Sequence, residues 1–420
     1  VIFALVVVAT AKKVHLGLAA ALGGLAFALA RGRPVLDVLR AALAEALSAD
    51  TLLLLGIMAG IMAFSRAMKN AGAMDRLSLA LVQAAPSRRV ALAAAPLLIG
   101  TLPMPGGAIM SAPLVDAMDP ERSLGGARLS ATNYWFRHNL ELAWPLYPAF
   151  ILTSSLSGIA TGRLMLLNAY AFPVLFALGL IFILPKTSLP PVERRKGGLS
   201  ALAAGLAPLA MVLAVYAALD MVLRSVLPGL VANASLRALV QRYLPIGLGL
   251  AAGCAWLLIR MPRGDTRKGL FKGALNAGTV KLLAVIMGIR VFSALLGAAG
   301  AATDSAAELA AWGIPGLVAV ALLPFVAGLV TGVGFGYVGL AFPIILGLIP
   351  SGFPLEAGVV LAGAFGYAGM MLSPLHVCMV VSAEHFGTGL AGTIRRFALP
   401  LAAFVAVGSA YAFVLSTVLR

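Results

Sequence analysis

A few charged and polar side chains sit inside long apolar runs, where a charge is costly and is kept for ion pairs, proton relays or ligands. Arg137 and Glu141 are four residues apart within the run Leu129–Leu156. Arg137 follows Arg128 by nine residues, roughly 14 Å along a helix, which puts it near mid-membrane. On one helical face the two form an i,i+4 ion pair. Such a pair serves either as a structural link or as a proton-coupling carboxylate held by an arginine. His138 lies beside them on another face and reads as a hydrogen-bonding residue with a satisfied partner. Arg290 is also mid-span, as a counter-charge for an anionic substrate or as a partner of Glu141. His376 follows a helix break and titrates near neutral pH, which suits substrate or proton handling. Asp220 with Arg224 reads as structural, and Glu384-His385 as solvated.

Two further clusters are made of small residues. Thr101, Gly106, Gly107 and Ser111 lie around Thr101-Leu-Pro-Met-Pro-Gly-Gly107, and Thr331, Gly332, Gly334 and Gly336 form a second break. Small residues let a ligand approach the backbone. The N-terminus of a half-helix favours a carboxylate, and unwound carbonyls hold cations. The plainer alternative is glycines that only let helices pack closely. Asn139–Pro148 and Gly369–His376 are also interrupted by proline, with Asn139 and Ser373 as added ligands. The expected substrate set is therefore Thr101, Gly106, Gly107, Asn139, Thr331, Gly332, Gly334, Ser373 and His376. Glu141, Arg137 and Arg290 form the expected ion- or proton-coupling set. No HExxH, GxSxG or Walker motif occurs, nor any Cys/His metal spacing, so no catalysis, metal or cofactor is expected.

These residues must be positioned by membrane helices. Of 420 residues, 61% are hydrophobic and 11% charged, with a mean hydropathy of +1.01. A soluble domain is about 45–50% apolar and about 25% charged. The composition excludes a soluble enzyme, a disordered chain and a secreted disulfide scaffold. Cys254 and Cys378, the two cysteines, both fall in apolar runs. Lysine and arginine exceed acidic residues by 31 to 15, a net charge of +16. The excess lies in short loops, so a bilayer rather than nucleic acid is the expected partner. The chain opens inside an apolar run, so the first helix is expected to be truncated.

Ten runs fit single spans of about 20 residues: Val1–Thr10, Val14–Ala30, Thr51–Met68, Leu129–Leu156, Leu164–Leu184, Leu199–Leu219, Leu244–Ile259, Val280–Ala302, Ala357–Ala383 and Leu399–Leu419. Val90–Val115 and Ile314–Ile349 do not fit one span, being broken in the middle by the Pro/Gly clusters. Broken backbone at membrane depth is tolerated only inside protein or along a cavity, so each predicts a re-entrant hairpin (residues 88–118 and 314–350). A proline-kinked single span is the alternative. An internal repeat supports the hairpins: Leu55, Gly60, Ile61, Phe64 and Ser65 match Leu283, Gly288, Ile289, Phe292 and Ser293, each 228 residues on. The predicted fold is an all-α polytopic membrane protein of two repeats, 1–197 and 198–420, each with five transmembrane helices and one hairpin. Five crossings is odd, so the repeats are expected to be inverted, an arrangement found in secondary transporters with mid-membrane sites. Amphipathic stretches at Pro34–Ala49 and Pro262–Gly278 are expected to lie along the interface.

Loop charges set the orientation. Lys12, Arg88, Arg195, Arg263 and Arg395 fall on the more basic face, and Arg31, Arg163, Arg224 and Arg242 on the other. Placing the first face in the cytoplasm puts both termini outside the membrane. The linker Pro185–Gly198 then joins the halves on the cytoplasmic side.

The stretches Thr101–Pro113 and Met371-Leu-Ser-Pro-Leu-His-Val-Cys378 resemble a prokaryotic membrane family, domain of unknown function 401, grouped in the ion transporter superfamily. Its relatives include divalent-anion/sodium symporters and gluconate and citrate permeases. The resemblance covers nearly the whole chain. It implies inverted repeats, re-entrant hairpins, a scaffold domain that forms a homodimer and an elevator-like transport domain. Divalent-anion symporters carry Ser-Asn-Thr at the hairpin tips, where this chain has Thr-Leu-Pro-Met-Pro-Gly-Gly and Thr-Gly-Val-Gly-Phe-Gly. The expected scaffold is 1–50 and 199–277, and the transport domain 51–184 and 278–420. The expected function is elevator-type, ion-coupled (sodium or proton) transport of a small organic anion such as a carboxylate. An anion channel and an intramembrane enzyme or lipid-handling protein using His376, His138 and Glu141 are the alternatives.

Overall fold

The computed structural model describes residues 2–12, 14–102, 107–184, 198–261 and 265–419. Gly106 and nearly all of the linker 185–198 lie outside them. Among the described residues every regular element is helical. The first half contains α1 (Ile2–Ala11), α2 (Leu16–Ala30), α3 (Val35–Ala46), α4 (Ala49–Asn70), α5 (Ala73–Ala84), α6 (Arg88–Gly100), α7 (Gly107–Met118), α8 (Gly126–Arg137), α9 (Pro148–Ser157), α10 (Thr161–Asn168) and α11 (Ala171–Leu178). The second contains α12 (Gly198–Leu230), α13 (Ala234–Arg260), α14 (Asp265–Lys268), α15 (Ala277–Ala298), α16 (Ala301–Ala311), α17 (Gly316–Thr331), α18 (Gly334–Ile345), α19 (Leu355–Leu372), α20 (Val377–His385) and α21 (Leu390–Val418).

Seven of the helical stretches are long and apolar enough to cross a membrane: Ala49–Asn70, Thr161–Ile183, Gly198–Leu230, Ala234–Arg260, Ala277–Ala298, Leu355–His385 and Leu390–Val418. The chain is a multi-pass membrane protein. Its outer surface is apolar where lipid would meet it, with Leu166, Met221, Leu230 and Ile259 all more than 70% exposed. Burial concentrates instead on α8 and α19. Tyr134, Trp135 and Phe136 are fully enclosed, and the Trp135 indole donates to the Leu175 carbonyl at 2.9 Å.

Local signals place several helix starts. Ser48 accepts from the Thr51 amide (3.2 Å) and Asn276 from the Thr279 amide (3.0 Å), N-caps that satisfy an otherwise orphaned donor. The two caps are 228 residues apart, as are the starts of α4 and α15, α5 and α16, and α6 and α17. Packing between the halves is reciprocal. α2 packs on α15 while α13 packs on α4, and α7 packs on α20 while α18 packs on α9. The α2–α15 contact is close because Gly17 and Gly288 lack side chains: a Cβ on Gly17 would lie 2.5 Å from the Ala284 carbonyl oxygen, and one on Gly288 would overlap Gly17 itself.

Three sequence boundaries shift. The spans beginning at Leu199 and Leu244 lie within longer helices, α12 and α13. Their polar ends are stabilised by Asp220, which pairs with Arg224 (2.9 Å) and accepts from Gln241 (2.6 Å). Only the first amphipathic stretch forms a real helix, α3. The described part of Pro262–Gly278 holds the single turn α14 and then irregular turns. There Gly273 has φ 75°, a left-handed conformation that no right-handed helix accommodates.

Candidate functional site

α8 ends at Arg137, and residues 138–147 form turns before α9 begins at Pro148. The helix ends before Glu141, so Arg137 and Glu141 do not share a helical face as their spacing predicts. Instead they diverge. The Arg137 guanidinium lies directly against Gly107, the first residue of α7, where any Cβ would overlap it. The Glu141 carboxylate lies directly against Gly334, the first residue of α18. Each of these short helices therefore begins at a glycine that faces one charge of the broken segment.

The same segment caps α6. The last carbonyls of a helix lack intrahelical partners. Here Trp144 Nε1 donates to the Thr101 carbonyl at 2.9 Å and the Tyr147 hydroxyl to the Gly100 carbonyl at 2.5 Å. The second broken segment, between α19 and α20, packs on the other tip. A Cβ on Gly332, at φ 64°, would lie 2.8 Å from the His376 amide nitrogen and 2.9 Å from Ser373 Oγ. Ser373 Oγ accepts from the Leu375 amide at 3.2 Å.

The two breaks bring their imidazoles together. The rings of His138 and His376 are 4.7 Å apart and nearly perpendicular. Tyr134 contacts both, at 4.9 and 5.1 Å. Its carbonyl lies 2.7 Å from His138 Nδ1 and its hydroxyl 3.1 Å from His376 Nδ1. Cys378 completes the group, with one potential ligand atom from each of the three residues lying within 4.8 Å of the others.

These side chains line a cavity of about 430 Å³. Arg137, His138, Glu141, His376 and Cys378 form its polar wall, and Gly332 to Phe335 bring the second tip into it. His15, Gly278 and Lys281 belong to the lining at the starts of α2 and α15. Of the residues expected from the sequence, Gly332, Gly334, His376, Glu141 and Arg137 line this cavity. Thr101, Gly107, Asn139, Thr331 and Ser373 do not line it. Asn139 is fully buried, and neither side-chain polar atom has a partner. Thr331 Oγ1 donates to the Ala327 carbonyl at 2.7 Å. Gly106 lies outside the described residues. His138, Cys378 and Lys281 were absent from the expected set. The available signal was position: His138 opens one break, and Cys378 is two residues beyond His376 in the other.

Arg290 has a different setting. Its guanidinium pairs with Asp50 (2.6 Å) and Glu45 (2.6 Å) and donates to Thr51 Oγ1 (3.1 Å) and Ser155 Oγ (3.0 Å). Asp50 also takes Arg242 (3.1 Å) and the Tyr243 hydroxyl (2.8 Å). Two carboxylates thus balance two guanidiniums, joining α3, α4, α9, α13 and α15. Arg290 does not line the cavity, and these carboxylates, rather than Glu141, are its partners.

The comparisons agree with a membrane fold of this kind. A family model described as a protein of unknown function, DUF401, matches residues 1–245 and 259–415, and the chain belongs to that family. No curated protein matches it. Among solved structures the chain is similar to the crystal structure of the YdaH transporter of Alcanivorax borkumensis. The TM-score is 0.52 and the sequence identity 15%, over 89% of each chain. At that identity the likeness is one of fold.

Proposed function

We propose that the protein is an ion-coupled secondary active transporter of a small organic anion, a carboxylate in the first instance. The observation that carries this reading is the cavity at which both broken segments and the second tip meet. There a guanidinium and the N-terminus of α18 present donors to an anion, with two imidazoles and Glu141 beside them. Half-helix N-termini favour negative charge, and an intramembrane carboxylate is a natural carrier of a coupling proton. The fold likeness to the YdaH transporter supports the same reading.

In this reading α6–α7 and α17–α18 are re-entrant hairpins. At 13, 12, 16 and 12 residues they are roughly 18–24 Å long, short of the ~30 Å hydrocarbon core. The halves are inverted repeats, and alternating access is elevator-like. α15 packs on α2 and α3, and α4 packs on α13. We therefore assign α4 and α15 to the scaffold, and begin the moving domain at α6 and α17. The loop charges place the starts of α2 and α15 in the cytoplasm, so the cavity mouth beside His15 and Lys281 is inward-facing. Protomers pair through the scaffold in the inner membrane.

The test is uptake by the purified protein in proteoliposomes, challenged with a panel of mono-, di- and tricarboxylates. Saturable uptake driven by a sodium or proton gradient is expected. Failure of either gradient, in either direction, to move any anion overturns the proposal. Electrical flux without a coupling ion identifies a channel instead.

A further inference from the structure

Two imidazoles and a thiol at the cavity wall make a donor set that anion binding alone does not require. We propose that His138, His376 and Cys378 form a three-ligand site for a late first-row transition metal ion of the Zn2+ class, with its fourth coordination position open to the cavity.

Four observations support the site. First, the donor set is right. Nitrogen and sulfur ligands select Zn2+ and its neighbours over Mg2+ and Ca2+, which require oxygen. Second, one potential ligand atom from each residue already lies within 4.8 Å of the other two. In a tetrahedral zinc site the ligands stand about 3.5 Å apart, so closure needs side-chain adjustment only. Third, the hydrogen bonds around the rings set the tautomers. The Tyr134 carbonyl, 2.7 Å from His138 Nδ1, can only accept, so Nδ1 carries the proton and Nε2 keeps its lone pair. The Tyr134 hydroxyl gives its proton to the Met371 carbonyl at 3.1 Å and so accepts from His376 Nδ1, which also faces the Met370 carbonyl at 3.4 Å. His376 Nε2 is thereby free as well. Orientation of metal-binding histidines through their second nitrogen is a regular feature of such sites. Fourth, Cys378 lines the same cavity as both histidines.

Three protein ligands with one open position is the pattern of zinc sites that bind an exogenous ligand. Here the open side meets the cavity that Arg137 also lines, so an anion in the cavity can complete the coordination sphere. Metal binding displaces the thiol proton, which leaves to solvent, and two metal–nitrogen bonds and one metal–thiolate bond form. His138 comes from the first half and His376 and Cys378 from the second, so the ion would fasten the two broken segments together.

The experiment is a metal titration of the full-length protein in detergent micelles after chelator treatment. Zn2+ is the probe for stoichiometry and Co2+ the spectroscopic reporter. One Zn2+ per chain is expected, with a thiolate-to-Co2+ charge-transfer band. Cys378→Ser should abolish the band, and Cys378→Ser and His376→Gln should each weaken Zn2+ binding at least tenfold. Cys254→Ser, whose thiol is remote from the cluster, should change neither. Size-exclusion profiles and thermal unfolding verify that each variant is folded. If a variant does not fold, the Co2+ spectrum of the unaltered protein decides. Absence of a thiolate band, absence of stoichiometric Zn2+, or Zn2+ binding unaltered in folded Cys378→Ser overturns the proposal. This readout does not use transport, so metal binding without uptake, or uptake without metal binding, separates the site from the proposed function.

Discussion

Arg137 and Glu141, four residues apart in the chain, face opposite helix pairs: the guanidinium rests on Gly107 of α7 and the carboxylate on Gly334 of α18. One broken segment thus reads the position of both tips. A shift of either tip relative to residues 137–141 changes the surroundings of a charge, which ties the geometry of the cavity to its electrostatics.

The glycines at these two contacts should be irreplaceable. Gly334→Ala places a methyl group on the Glu141 carboxylate and 2.9 Å from Ala149 Cβ. Overpacking of this kind costs about 1–3 kcal/mol. Thermal unfolding in detergent should show the loss, and uptake should fall further than the loss of folded protein explains. An alanine variant with unaltered stability and uptake would remove the contact from consideration.

Arg290 should matter for folding rather than for substrate. Arg290→Met leaves Glu45 without its guanidinium and Asp50 with Arg242, and breaking a largely buried ion pair costs about 3–5 kcal/mol. A sharp drop in unfolding midpoint is expected. The surviving folded fraction should keep the substrate KM of the unaltered protein. A raised KM at normal stability would return Arg290 to the binding site.

Tyr147→Phe isolates the cap on α6. It deletes the hydroxyl that satisfies the Gly100 carbonyl and keeps the ring. A lost buried hydrogen bond costs about 1–3 kcal/mol, readable as a lowered unfolding midpoint.

Coupling is tested at Glu141. If this carboxylate carries the proton, Glu141→Gln flattens the pH dependence of uptake while counterflow exchange of substrate continues. Uptake that keeps its full pH dependence in the variant assigns coupling to another group.

Orientation is tested at the exposed cavity mouth. In a protein whose native cysteines are replaced by serine, Lys281→Cys should react with a membrane-impermeant maleimide in inside-out vesicles and stay unlabelled in right-side-out vesicles. The reverse pattern would invert the topology.

Much of this molecule was legible in the sequence because the forces involved are local. Long apolar runs must become helices in a bilayer, since the backbone has no other partner there. Pro145 and Pro374 lie in the breaks between helices, and Pro148 opens α9. The caps at Ser48 and Asn276 follow from side chains within three residues. The 228-residue offset between Gly60 and Gly288 is visible without coordinates, and the starts of α4 and α15 share it. The charged contacts were a different matter. Arg137 and Glu141 would pair only on an unbroken helix, and the end of α8 at Arg137 separates them. Arg290 takes its partners from Asp50 and Glu45, and Cys378 meets His138 from the opposite half of the chain. Electrostatic and ligand interactions depend on distance in space, and the sequence encodes that distance only through the packing of the whole fold. Composition and local backbone chemistry decided the class of protein and the places where its helices break. Tertiary packing alone decided which charge faces which glycine and which two imidazoles share a thiol.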